Sequence, residues 1–220
     1  MAKSLRKAAK PRGAAVKRRR EPRALQSEKR REAILAAALD EFSARGFASA
    51  RLDDVARRAG VAKGTIYLHF RDKETLFQEL VRAELSPVVA ALEAAPVTDL
   101  PMRAVAEHLI TLFVREIFQT RRKDVIRLIL TEGPRFPAIA EFYYREVVEH
   151  VMAVIRRLAE KAIERGELPN DSLVRFPQLL GAPGIVAIIW SGLFDRWVKL
   201  DAEAFMRAYL DLVFAKRKTA

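Results

Sequence analysis

Seven consecutive residues, Lys63 to His69, bring an ammonium, a hydroxyl, a phenol and an imidazole together. On a helix with Ile66 turned inward, the residues left outward are Lys63, Gly64, Thr65, Tyr67, Leu68 and His69. Such short polar, aromatic and basic groups suit phosphate oxygens and base edges. Catalysis has much thinner material. The chain contains no cysteine, which excludes disulfide frameworks, thiolate metal sites and cysteine nucleophiles. Its histidines, His69, His108 and His150, are too far apart for a local metal motif. Glu146 and His150 stand one helical turn apart, a spacing that serves a surface ion pair as readily as any chemistry. No glycine-rich phosphate loop and no nucleophile elbow is present. We expect no enzyme, no cofactor and no metal.

The segment LDDVARRAGVAKGTIYLHF has the spacing of a helix-turn-helix. Ala56 is small where two helices must cross, Gly60 makes the tight turn, and Ile66 packs the second helix onto the first. That second helix is then free to lie in a major groove. Ile34, Leu35, Ala38 and Phe42 recur at offsets of three and four and predict a helix before it. Gly46 sits where a left-handed residue ends that helix, and Phe47 is expected to fold back on its last turn. Helices follow from about Leu52 to Ala59 and Lys63 to Phe70. Asp72 reads as the N-cap of a fourth, which carries Leu76, Phe77, Leu80 and Val81 towards a kink at Pro87. Beyond a linker from Pro96 to Pro101, helices are expected over Met102–Thr120, Asp124–Glu132, Ala138–Arg165 and Ser172–Trp197. The last of these has an irregularity at Gly181–Gly184, and a final helix capped by Asp201 runs through Phe214. No strand-like alternation and no internal repeat appears, so the fold class is all-α.

Charge is concentrated at the N-terminus. Residues 1–23 hold ten Lys/Arg against one acid and carry most of the formal +12. With Pro11, Gly13 and Pro22 as helix breakers, residues 1–24 read as a disordered basic arm. Such an arm attracts DNA, RNA or an acidic membrane surface alike. Two readings stand for it: extra phosphate contacts on DNA, or a solubilising tail. No apolar run approaches the ~20 residues of a membrane span, and no apolar stretch follows the basic start to make a secretory signal. A cytoplasmic location is expected.

The stretch from about Arg31 to Leu80 resembles the DNA-binding domain of the TetR/AcrR family, through AILAAALDEFSARGF, LDDVARRAGVAKGTIYLHF and DKETLF in that order. The later segment RLILTEGPRFPAIAEFYYREV resembles one common subgroup of the family's C-terminal domains. The resemblance implies a three-helix DNA-binding domain over 25–73. A linking helix joins it to a helical effector-binding and dimerisation domain over 74–220, for about nine helices in all. It places Lys63, Thr65, Tyr67 and His69 where the family's recognition helix meets DNA. Lys63 and Thr65 would face base edges, and Tyr67 and His69 would face phosphates. Gly64 would let the backbone approach closely, and Lys73 matches a phosphate-contacting lysine. Ala50-Arg51 stands where the family often has Thr-Thr, and Ala62 where it often has an N-cap Ser. Each change removes a helix cap, while Arg51 substitutes a charged phosphate contact.

The resemblance also implies a small-molecule cavity, for which Phe113, Ile117, Arg127, Phe136, Tyr143, Val147 and Trp190 are candidate lining residues. A buried Arg127 would need an anionic partner such as Glu132, Glu146 or a ligand carboxylate. Dimerisation is expected through the last two helices, with Ile185, Ile188, Ile189, Gly192, Leu193 and Trp197 on one and Phe205, Leu210 and Phe214 on the other. The function implied is a dimeric repressor, released from a palindromic operator by a small molecule. The alternative is a nonspecific nucleic-acid packaging protein driven by the basic arm.

Overall fold

The computed structural model describes residues 23–94 and 100–214. Most of the expected basic arm over 1–24 and most of the expected linker lie outside the described residues. Those residues form helices and no strand.

Helix α1, Arg23–Ser49, buries Ile34, Leu35, Ala38 and Phe42 on one face, as their spacing predicts. Its helical path breaks at Gly46 (φ 74°, ψ 162°). The φ is positive as expected, but the ψ places the residue in the glycine-only extended region rather than in a left-handed helical cap. The Phe47 ring does fold back, 5.5 Å from Phe42 and 5.6 Å from Phe77. Helices α2 (Leu52–Arg58) and α3 (Lys63–His69) follow. Between them Gly60 takes φ +67°, and Val61 N–H reaches back to the Ala56 carbonyl at 3.0 Å. Helix α4, Lys73–Ala94, buries Leu76, Phe77, Leu80, Val81 and Leu85 and carries Pro87 inside it.

The remaining rods differ from a plain reading of periodicity. Helix α5, Met102–Phe113, runs into a π-helical turn at Val114–Phe118. Helix α6 spans Arg122–Glu132. Helices α7, Pro137–Tyr143, and α8, Glu149–Glu164, join through a second π turn at Tyr144–Val148. The single helix expected over 172–197 is instead two, α9 (Ser172–Arg175) and α10 (Gln178–Leu193). The break falls at Phe176, which Pro177 keeps out of the helical region (φ −130°, ψ 68°). Gly181–Gly184 continues helically instead of interrupting the chain. Gly184 permits close packing, since a Cβ there would lie 2.9 Å from the Phe113 ring. Helix α11, Ala202–Val213, is capped by Asp201, whose carboxylate accepts the Ala204 N–H at 3.0 Å. The short α9 is the main addition to the expected helix count.

One contiguous core joins α1–α4 to α6, with Ile139, Val147 and Ile188 from α7, the second π turn and α10. A smaller cluster pairs α5 with α11 through Ala106, Ile110, Met206 and Leu210.

Candidate nucleic-acid interface and effector side

Burial sorts the residues of α3 into faces. Ile66 and Phe70 are buried, Thr65 and His69 half-buried, and Lys63, Gly64, Tyr67 and Leu68 exposed. Ala56 is buried at the α2–α3 crossing, which fixes α3 against α2 and leaves its outer face open. Neither Arg51, before α2, nor Ala62, before α3, caps its helix with a side chain. The lost caps read from the sequence are therefore real in the fold.

A cleft of about 750 Å³ opens beside α3, lined by Ala48–Asp53, Tyr67, Arg71, Asp72 and Lys73. It brings three of the sequence-selected residues, Arg51, Tyr67 and Lys73, around one space. Lys73 does more than face it. Its ammonium donates to the Phe47 carbonyl at 2.9 Å and the Ala48 carbonyl at 2.7 Å, and lies 4.8 Å from the Phe47 ring centroid. It thus ties the start of α4 to the end of α1. Asp72 opens α4 as expected, accepting the Thr75 N–H at 2.7 Å, and this bond lowers its carboxyl pKa.

Lys63 pairs with Asp53 at 2.7 Å, a hydrogen bond that raises its pKa. The Tyr67 hydroxyl lies 3.5 Å from the other oxygen of the same carboxylate. Sequence reading missed Asp53 in this role, and it missed Arg71. Arg71 lies in the cleft wall with its side chain 85% exposed, 3.0 Å from Asp72. The only sequence signal for Arg71 was a cation placed next to the α4 cap.

Three ion pairs brace this region. Glu41 is 2% exposed and pairs with Arg45 and Arg58, each at 3.1 Å, so α1 grips α2 through charge as well as packing. Arg31 donates to Glu79 at 2.6 Å, tying α1 to α4.

On the effector side the candidates separate. Ile117 and Val147 are buried, and Phe113 and Tyr143 are partly buried against the same core. Burial pushes the Tyr143 phenol up to about 12. Phe136 lies elsewhere: its ring meets Phe47 edge-on at 4.9 Å, at the seam between α1 and the α6–α7 corner. Trp190 turns to the end of α10, where its indole N–H donates to the Val198 carbonyl at 2.9 Å. Arg127 is half-buried between α6 and α10. It bonds Asp124 at 3.0 Å and Ser191 at 3.3 Å, and Gly192 leaves the space it occupies. Asp124, rather than Glu132 or Glu146, is its anionic partner. Glu146 pairs with Arg82 at 3.2 Å and His150 with Glu93 at 2.7 Å, so both reach α4.

Helix α10 carries an exposed apolar stripe of Leu179, Val186, Ile189 and Leu193, continued by Trp197. Ile188 and Leu210, expected at a dimer face, are instead buried within the protomer. Among the described residues no cluster of three or more His, Asp or Glu could hold a metal ion, and no helix is long and apolar enough to cross a membrane.

Comparison with known proteins agrees with this architecture. Residues 34–80 match the profile of bacterial regulatory proteins of the tetR family, and residues 102–175 match the AefR-like transcriptional repressor C-terminal domain. The transcriptional repressor BepR of Brucella suis is 32% identical over 149 residues, covering 64% of this chain and 69% of that protein. The transcriptional regulator AcrR of Shigella flexneri is 28% identical over 178 residues, covering 79% and 80% respectively. A solved SmeT–triclosan complex superposes with a TM-score of 0.67 at 21% identity, covering 84% of this chain and 90% of that one. With the helix-turn-helix, the linking helix and the helical C-terminal half all in place, the chain belongs to the TetR family of DNA-binding transcriptional regulators.

Proposed function

We propose that this protein is a homodimeric repressor that binds a palindromic operator and leaves it when a small molecule binds among its C-terminal helices. The observation that carries this reading is the exposed face of α3 beside a cleft that gathers Arg51, Tyr67, Arg71 and Lys73. In this reading residues 25–73 read DNA and residues 74–220 bind effector and partner. Arg51, Tyr67, Arg71 and the remaining ammonium proton of Lys73 take phosphates. Lys63 exchanges Asp53 for the operator, Gly64 admits the DNA backbone or base edges closely, and Thr65 and His69 support contacts from the flanks of α3. A dimer sets its two recognition helices in successive major grooves, about 34–36 Å apart.

The effector site is built from Phe113, Ile117, Tyr143 and Val147. It combines apolar walls with one phenol as a polar handle, a lining typical of small-molecule pockets. A related fold that holds triclosan supports the same use here. Arg127, half-buried between α6 and α10, is the polar group we assign to its margin, while Phe136 and Trp190 stand apart from it. An effector shifts DNA affinity only by preferring one conformation. A hundredfold loss of operator affinity requires roughly 2.7 kcal/mol of coupling. The protein is a binding protein that works in the cytoplasm and not a catalyst.

The test is selection of random duplex DNA by the full-length protein at physiological salt. A two-fold symmetric motif is the expected result, lost on Lys63→Ala, while Tyr67→Ala should weaken binding to all sequences alike. Binding that ignores sequence and only weakens with salt would replace this reading with nonspecific packaging.

A further inference from the structure

We propose that Leu68 reads sequence directly, by packing its side chain against the 5-methyl group of a thymine in each operator half-site. The proposal rests on the reading of α3 as the recognition helix. Leu68 is 85% exposed, the most exposed large hydrophobic side chain among the described residues. It has no charge or hydrogen bond to satisfy in water, yet it stands on the outer face of the helix that would enter the groove.

The outer face of α3 has two edges. Successive residues turn by about 100°, so Lys63 and Tyr67 share one edge while Gly64 and Leu68 share the other. The first edge is engaged: Asp53 holds Lys63 at 2.7 Å and meets Tyr67 at 3.5 Å, and Tyr67 lines the basic cleft. On that edge Tyr67 is given to a phosphate and Lys63 is held by charge. The second edge is open: a Cβ built on Gly64 would meet nothing within 4 Å. One turn of helix therefore presents bare backbone and then a leucine.

In the major groove only thymine offers a methyl group; the edges of the other bases are donors and acceptors. Leucine packed on such an edge would desolvate polar groups without pairing them. Packed on thymine, it buries methyl against methyl. The pairing therefore favours thymine over cytosine, a base of the same size.

The experiment uses the full-length wild-type protein and its selected operator. Each thymine is replaced in turn by uracil, which keeps the pairing and the O4 acceptor and removes only the methyl. Replacement at one symmetry-related position is expected to weaken binding about fourfold per half-site, the worth of one buried methyl group. With Leu68→Ala, that thymine–uracil difference should vanish there and persist at other positions. Because Leu68 is exposed, the thermal melting of the variant should match the wild type. An operator indifferent to uracil at every thymine overturns the assignment, as does a sensitive position whose sensitivity survives Leu68→Ala. Failure of the wild type to enrich any symmetric motif would instead remove the recognition-helix reading itself, and Leu68 with it.

Discussion

Asp53 holds, in the free protein, two groups that α3 would turn towards DNA, the Lys63 ammonium and the Tyr67 hydroxyl. It also places a negative charge where phosphates would approach. A nonspecific duplex must displace this carboxylate without the base contacts that would compensate. Asp53→Asn is therefore expected to tighten binding to a scrambled duplex. It should also steepen the log–log salt dependence by about 0.9, one further phosphate contact. Fluorescence anisotropy across a salt series measures both, and an unchanged slope would remove Asp53 from this role. At this scale the packing of the helix-turn-helix was legible. Ala56, Gly60 and Ile66 set the motif by size and spacing alone, and Arg51, Tyr67 and Lys73 do share one cleft. The hold of Asp53 on Lys63 was not legible, because an exposed ion pair between two helices leaves no periodic trace. Nor was the second task of Lys73, since its acceptors are backbone carbonyls that every sequence possesses.

Among the elements, the end of α1 is the most constrained. Gly46 adopts a backbone conformation that only glycine takes readily, and a Cβ there would stand 2.9 Å from the Glu132 carboxylate. Gly46→Ala should lower unfolding free energy by about 1–3 kcal/mol in urea titrations; a smaller loss would mean that the α6 corner yields easily. The linking helix α4 meets α8 through Glu93 and His150, and the Glu93 hydrogen bond raises the imidazole pKa above its ordinary 6.5. Since the folded value exceeds the unfolded one, this contact stabilises fully below pH 6.5 and is lost as pH rises through the raised value. An NMR titration should place His150 above 6.5, and Glu93→Gln should bring it down towards 6.5. Helix boundaries read from periodicity held for α2, α3, α6 and α11. They failed over 172–197, where apolar residues continue across Pro177 and conceal the break. Both π turns also escaped notice, because one inserted residue scarcely disturbs an apolar stripe.

For the whole molecule, the stripe of Leu179, Val186, Ile189 and Leu193 is an apolar helix face that the single chain leaves exposed. Paired with its two-fold mate it becomes part of a four-helix bundle. Ile189→Asp would bury a charge at that contact. The variant is expected to sediment near 24.9 kDa rather than at twice that mass, with most of its affinity for a two-fold operator lost. A variant that remains dimeric would move the interface off α10. The fold class could be read from the chain, but the seam between the helix-turn-helix and the helices that follow it could not. That seam passes through Phe47 and Phe136, two aromatic rings 89 positions apart whose edge-on contact depends on how α6 turns into α7. The pair bears on any attempt to build chimeras. A DNA-reading head transplanted from a relative at residue 73 would bring its own ring to the Phe136 socket. Chimeras that respond to effector should therefore be those in which head and socket are exchanged together.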